Sequence, residues 1–191
     1  GSRARSRSGA RSDTMTPTGF VIDVRDILND LGAVVTLDDD VELPPVVLGT
    51  EEYTPLGPAH VSGVVTNTGA GIVVDATVSA TLRAVCSRCL KEFPLAVTGQ
   101  VDAFYVQHGH EEGIPEEQEY GHIREGAIDI LEAVSVALAL EIPLAPVHAE
   151  DCPGICPVCG ADLADGPCGC DADRPPSPFD VLKQLLPDDD A

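Results

Sequence analysis

Tryptophan is absent from this 191-residue chain, and aromatic residues make up only 4% of it. That scarcity argues against a base-stacking platform for single-stranded nucleic acid. Cations are scarce as well: 11 Lys and Arg stand against 32 Asp and Glu, a net charge of −21. Arg3, Arg5, Arg7 and Arg11 all precede the first acid, Asp13, which leaves seven cations against the 32 acids from there onward, a net −25. Nucleic-acid affinity comes largely from Lys and Arg displacing counterions, so a body this acidic repels phosphate backbones. Autonomous binding to bare RNA or DNA is all but ruled out, and a basic protein partner is favoured.

No apolar run reaches the roughly 18 to 20 residues that a membrane span needs. The N-terminal GSRARSRSGARSDTM lacks the apolar centre of a secretory signal. Met15 is the single methionine; it reads as the initiator, with residues 1–14 a disordered upstream segment outside the fold. A cytoplasmic setting follows as an expectation. Seven cysteines in a reducing compartment read as metal ligands before disulfides, and an odd count does not close a disulfide framework.

What is present is an α+β pattern. Residues 20–37 mix strand-like alternation with a short possible helix, and an acidic, proline-containing stretch follows from Asp38 to Pro45. From Val46 to Val106 the runs VVLG, HVSGVVTN, GIVVDATVSATLRAV and FPLAVTGQVDAFYV are rich in Val and Thr, with Gly, Pro and Asn turn signals between them. TNTGAG is a hairpin-turn candidate. Val74, Ala76, Val78, Ala80 and Leu82 share one face at period two, which indicates an antiparallel meander with one covered and one wet face. Gln107 to Glu125 reads as a polar, glutamate-rich loop. Asp129 to Glu141 reads as the main helix, with Asp129 and Glu132 as a capping box and Ile130, Val134, Ala137 and Leu138 toward the sheet. Ser177 and Pro178 open a short terminal helix carrying Phe179, Leu182, Leu185 and Leu186. The expected division is residues 15–150 as the α+β domain, 151–172 as a Cys-rich zinc-binding module, and 173–191 as the terminal helix and acidic tail.

The cysteines carry the chemistry. Cys86 and Cys89 lie in CSRCL, where the long strand turns back. Cys152, Cys156, Cys159, Cys168 and Cys170 lie in CPGICPVCGADLADGPCGC, whose CPVCG has the Cys-x-x-Cys-Gly form of a zinc knuckle. Tetrahedral zinc takes four Cys or His ligands. In one partition Cys156, Cys159, Cys168 and Cys170 form a local site, and Cys86, Cys89 and Cys152 form another with His148. In the other partition the two Cys-x-x-Cys pairs share one ion. The first is favoured because its ligand count closes. Closed four-ligand shells have no open position, so one or two structural Zn2+ ions are expected to hold a segment with few large apolar residues. No HExxH, GxSxG, P-loop or dinucleotide fingerprint is present, and no enzyme is expected. A thiol redox reading is disfavoured because neither pair opens a helix in a βαβ pattern. His108 and His110 flank Gly109, and such a His-x-His pair is read as solvent-exposed rather than metal-binding.

Four blocks in order, LRAVCSRCLKEF at 82–93, AIDILEAVSVALALEIPLAPVHAEDC at 127–152, CPGICPVCGADL and PSPFDVLKQLL, resemble the YceD-type large ribosomal RNA subunit accumulation proteins. The resemblance runs from about Phe20 to Leu186. It implies a cytoplasmic, non-enzymatic factor supporting accumulation of 23S rRNA, with no catalytic residue to carry over. Members of that family retain differing numbers of these cysteines. The family role and the acidic body are reconciled if a basic ribosomal protein or large-subunit assembly factor is the partner, held by acidic surfaces such as 111–119 and the tail. Contact with rRNA is then indirect, or local through Arg83, Arg88 and Lys91. The competing reading from another class is a zinc-dependent interaction adaptor unrelated to ribosomes, for example one linked to transcription.

Overall fold

The structure is a computed structural model that describes residues 19–115 and 117–170. The terminal helix expected near Ser177, the acidic tail and the upstream segment lie outside the described residues. The chain divides into two units. One comprises residues up to Ala84 and Phe93–Leu144; the other comprises Val85–Glu92 and the chain from Ala145.

The first unit is α+β and mostly antiparallel. Its strands are β1 (Val21–Asp23), β2 (Val34–Val41), β3 (Val46–Leu48), β4 (Glu51–Pro55), β5 (Ala59–Asn67), β6 (Ile72–Val85), β7 (Glu92–Gln107), β8 (Gly121–Ile123) and β9 (Ala127–Asp129), followed by the helix α1 (Leu131–Glu141). Strands β1 and β9 pair as a small antiparallel sheet. The large sheet runs β2-β5-β6-β4-β3, with β7 beside β6 and β8 beside β7.

The long strand β6 organises this unit. Ile72, Val74, Ala76, Val78, Ala80, Leu82 and Ala84 are all buried, as the period-two alternation predicts, while the intervening side chains are exposed or half-buried. The TNTGAG segment makes the tight turn into β6. Thr68 donates both its N–H (2.9 Å) and its hydroxyl (3.0 Å) to the Gly71 carbonyl, and Gly69 supplies the positive φ of 84°. Helix α1 turns Val134, Ala137 and Leu138 inward. It lies directly over Gly99 of β7, where an added Cβ would come 2.4 Å from the Ala137 carbonyl oxygen.

Three expectations are corrected, and one unassigned stretch is placed. The helix begins at Leu131 with Ile130 at its cap and no side-chain cap bond. Asp129 instead ends β9, and its carboxylate is shared between the N–H groups of Phe20 (2.9 Å) and Leu131 (3.1 Å). Asp38, Asp39 and Asp40, in the acidic stretch, belong to β2 at the edge of the sheet. An edge strand with a wet face accommodates acids, which also discourage edge-to-edge pairing. The polar segment after Gln107 contains β8, which runs parallel to β7 and is thus an exception in an otherwise antiparallel sheet. Residues 24–32 form turns rather than a helix. Among the described residues no helix is long and apolar enough to cross a membrane.

Candidate metal centres

Two turns of the same design shape the second unit. In the turn between β6 and β7, Cys86 N–H donates to the Lys91 carbonyl (2.9 Å) and Leu90 N–H donates back to the Cys86 carbonyl (2.9 Å). In the later turn, Cys156 N–H donates to the Ala161 carbonyl (2.8 Å) and Gly160 N–H to the Cys156 carbonyl (2.9 Å). The residue after each second cysteine has a positive φ, 61° at Leu90 and 72° at Gly160. Gly160 meets that demand at no steric cost, whereas Leu90 meets it against the usual preference of an L-residue. Each turn places two cysteines on one concave side of the backbone.

The segment carrying His148 and Cys152 is held to the first turn by backbone clamps. Ser87 donates its N–H (2.8 Å) and its hydroxyl (3.0 Å) to the Pro146 carbonyl. Arg88, inside the first Cys-x-x-Cys, donates Nη1 to the carbonyls of Glu150 (2.8 Å) and Cys152 (3.1 Å), and its own carbonyl accepts from Ile155 N–H (3.1 Å). Gly154, at φ 79°, lets this crossing approach closely: a Cβ there would sit 3.0 Å from the Arg88 carbonyl oxygen. Asp162 caps one turn of 3-10 helix, Leu163–Asp165, by accepting from Ala164 N–H (2.9 Å), and it pairs with Lys91. Sequence reasoning offered Arg88 and Lys91 as RNA contacts and overlooked Asp162. The Asp-Leu-Ala-Asp run is the cap signal that would have found it.

Eight candidate ligands lie in two groups: Cys86, Cys89, His148 and Cys152 in one, Cys156, Cys159, Cys168 and Cys170 in the other. Within each group the ligand atoms all lie within 4.8 Å of one another. This grouping is the first of the two partitions, and the two Cys-x-x-Cys pairs fall in different groups. Cys86, Cys89 and Cys152 are buried and His148 is exposed; in the second group Cys156 is buried and Cys159 exposed.

The donor chemistry and spacing fit a tetrahedral cation. Cys86 Sγ lies 3.9 Å from Cys152 Sγ, and Cys89 Sγ lies 3.4 Å from His148 Nδ1. Zinc–sulfur bonds of about 2.3 Å and zinc–nitrogen bonds of about 2.0 to 2.1 Å put tetrahedral neighbours roughly 3.5 to 3.8 Å apart. A disulfide would need sulfurs about 2.05 Å apart, and all seven cysteines are free. Burial pushes the Cys86 thiol up, but the backbone N–H groups of Cys89 and His148 and the His148 ring outweigh it and hold the thiol at about 5. Cys156 is held at about 6, chiefly by the N–H groups of Cys159 and Val158. Cys152 is pushed up by burial, and Cys170 rises to about 12 against the thiols of Cys159 and Cys168. In each group, therefore, one thiol ionises readily and a neighbour resists, and a bound cation would relieve that resistance.

The family described as "Large ribosomal RNA subunit accumulation protein YceD" matches residues 74–186, a span that takes in β6, β7, α1 and both cysteine groups. Uncharacterized proteins of Mycobacterium bovis and Mycobacterium tuberculosis are each 36% identical over 100 residues, 51% of this chain and 47% of theirs. An uncharacterized protein of Mycobacterium leprae is 34% identical over 101 residues, 50% of this chain and 45% of its own. The chain thus spans about half the length of the curated relatives it matches. No solved structure matches it.

Proposed function

Because the chain belongs to the YceD family of large ribosomal RNA subunit accumulation proteins, we propose that it is a non-enzymatic factor supporting accumulation of 23S rRNA, acting by holding a basic ribosomal protein or assembly factor. Two structural zinc ions would brace its second unit. Zinc, when bound, supplies the positive charge that four clustered donors need and cross-links distant chain positions. The residues do the rest: Ser87 and Arg88 carry the 145–152 segment to the first turn, and Asp162 ties the second turn to Lys91. Both donor sets are complete at four, which favours a structural over a catalytic role.

The observation that carries the protein-partner reading is where the cations go. In a chain of net charge −21, Arg88 is occupied by two backbone carbonyls and Lys91 by Asp162, so two of the three residues eligible for local rRNA contact serve the second unit itself. Acids, by contrast, are presented outward: Asp38, Asp39 and Asp40 on β2, and Glu112, Glu117 and Glu119 after β7, are exposed. Such surfaces raise association rates with basic partners and lose their grip in salt.

Affinity capture at low and high salt, combined with gradient sedimentation, tests this reading. The expected result is a basic large-subunit protein or assembly factor recovered at low salt and lost at high salt, with the chain migrating beside large-subunit precursors. Depletion should lower 23S relative to 16S rRNA. Recovery of only acidic or salt-insensitive partners, with no co-migration, would favour the adaptor unrelated to ribosomes.

A further inference from the structure

A third group of metal-ligating side chains forms in the first unit, from His108, Glu111 and His122. After β7 ends at Gln107, His110 N–H closes a turn onto the Gln107 carbonyl (3.0 Å), and Gly109 reverses the chain at φ 88°. Glu111 Oε1 accepts from Gly109 N–H (3.0 Å), which fixes the carboxylate over that turn. Strand β8 then returns parallel to β7 with His122 opposite Val106, so its ring arrives two residues from His108 across the ladder.

Both imidazoles aim at the same carboxylate oxygen. His108 Nδ1 is 3.5 Å and His122 Nδ1 3.8 Å from Glu111 Oε1, and the two rings stand edge-on with centroids 5.5 Å apart. Tyr120 packs edge-on against the other ring at 5.6 Å, holding His122 in place. The nitrogen–oxygen separations are long for hydrogen bonds. His122 Nδ1 is nonetheless buried, with no hydrogen-bond partner among the described residues. A buried polar atom left without a partner is costly and calls for an explanation. Ligands bound to a common cation at about 2.0 to 2.2 Å lie roughly 3 to 3.6 Å apart, close to the spacing observed.

We propose that His108, Glu111 and His122 form a third metal site, one that takes a divalent first-row transition ion and keeps at least one position open. Two imidazoles and a carboxylate suit zinc, copper, nickel or iron rather than magnesium or calcium. Three protein ligands leave room for water or for a ligand from outside. His108, whose side chain is 91% exposed, puts that position at the solvent. His110, the other member of the His-x-His pair, is not in the group. This proposal does not depend on the ribosomal reading.

The test is cobalt(II) titration, followed by visible absorption, of untagged full-length protein whose cysteine groups have been loaded with zinc. One equivalent should bind with d–d bands and without thiolate-to-cobalt charge transfer. His108→Ala and His122→Ala should each weaken it at least about tenfold, Glu111→Gln should weaken it, and His110→Ala should leave it unchanged. His108 is exposed, so its replacement leaves the fold intact even if His122→Ala does not. Absence of a stoichiometric phase would overturn the proposal. So would uptake unchanged in the His108→Ala variant, which means diffuse binding to surface acids, or charge-transfer bands, which mean exchange into the cysteine groups.

Discussion

Asn67 is the buried polar side chain on which the turn into β6 depends, at 7% exposure. Its Nδ2 donates to the carbonyls of Ile27 (2.7 Å) and Leu28 (3.1 Å), and its Oδ1 accepts from Gly69 N–H (2.8 Å). Replacing it with Ala removes all three bonds and leaves the Ile27 carbonyl, in a residue only 5% exposed, with the longer bond from Asp30 N–H (3.2 Å). Gly69 is exposed and its N–H can turn to water, so the loss there is small. At about 1 kcal/mol for the bond to the buried Ile27 carbonyl and about 0.5 kcal/mol for each of the others, Asn67→Ala should cost about 2 kcal/mol. Thr68→Ala, which removes one exposed bond to the Gly71 carbonyl, should cost less than about 1 kcal/mol. All three tyrosines lie in the first unit and tryptophan is absent, so tyrosine fluorescence during urea unfolding reports on that unit. With a slope of about 2 kcal/mol per molar urea, the Asn67→Ala midpoint should fall by about 1 M. A fall no larger than that of Thr68→Ala would refute the assignment of these bonds as buried and structural.

The two cysteine turns should respond oppositely to substitution at the residue of positive φ. Gly160→Ala forces a side chain onto φ 72° and should cost about 1 kcal/mol, several-fold in zinc affinity by chelator competition. Leu90→Gly relieves the same strain at φ 61° and should leave affinity unchanged or improve it; a loss as large as that of Gly160→Ala would show the turns are not alike. Burial, with the nearby charges of Asp129 and Glu132, raises the Tyr105 hydroxyl to about 12 from 10. Its neutral form, which donates to the Asp129 carbonyl at 2.9 Å, is thus favoured by folding. That contribution is fully present below pH 10 and is lost as pH rises through 12. Stability measured across that window should fall less steeply in Tyr105→Phe than in the parent chain.

Much of the sheet was legible because a strand with one covered face writes its burial into the sequence, as Val74 to Leu82 show. The helix interior was legible for the same reason. Its start was not, because Asp129 looks like a cap until Phe20, just before β1 and more than 100 residues earlier, claims its carboxylate. Asp38 to Asp40 hid an edge strand, since composition suggests a loop wherever acids cluster. At the two cysteine groups, ligand types and counting pointed to the grouping, but spacing alone does not bring Cys152 to Cys86 across 66 positions. That approach depends on Ser87 and Arg88 binding backbone carbonyls, which leaves no compositional trace. Nor does Leu90 advertise its positive φ, since glycine, the usual signal, is missing there. His122 was invisible for a related reason: its partner His108 is set by a parallel pairing that the polar segment concealed.

Native mass spectrometry tests most directly the claim that the thiolates close around bound ions. The measurement is best made on chain produced with zinc available, with His108→Ala and His122→Ala in place so that only ions held by the cysteine groups are counted. Two zinc ions per chain are expected, falling to one when Cys156 is replaced by Ser. Metal-free chain with an intact fold, or a single ion lost on replacing either Cys86 or Cys156, would contradict the account.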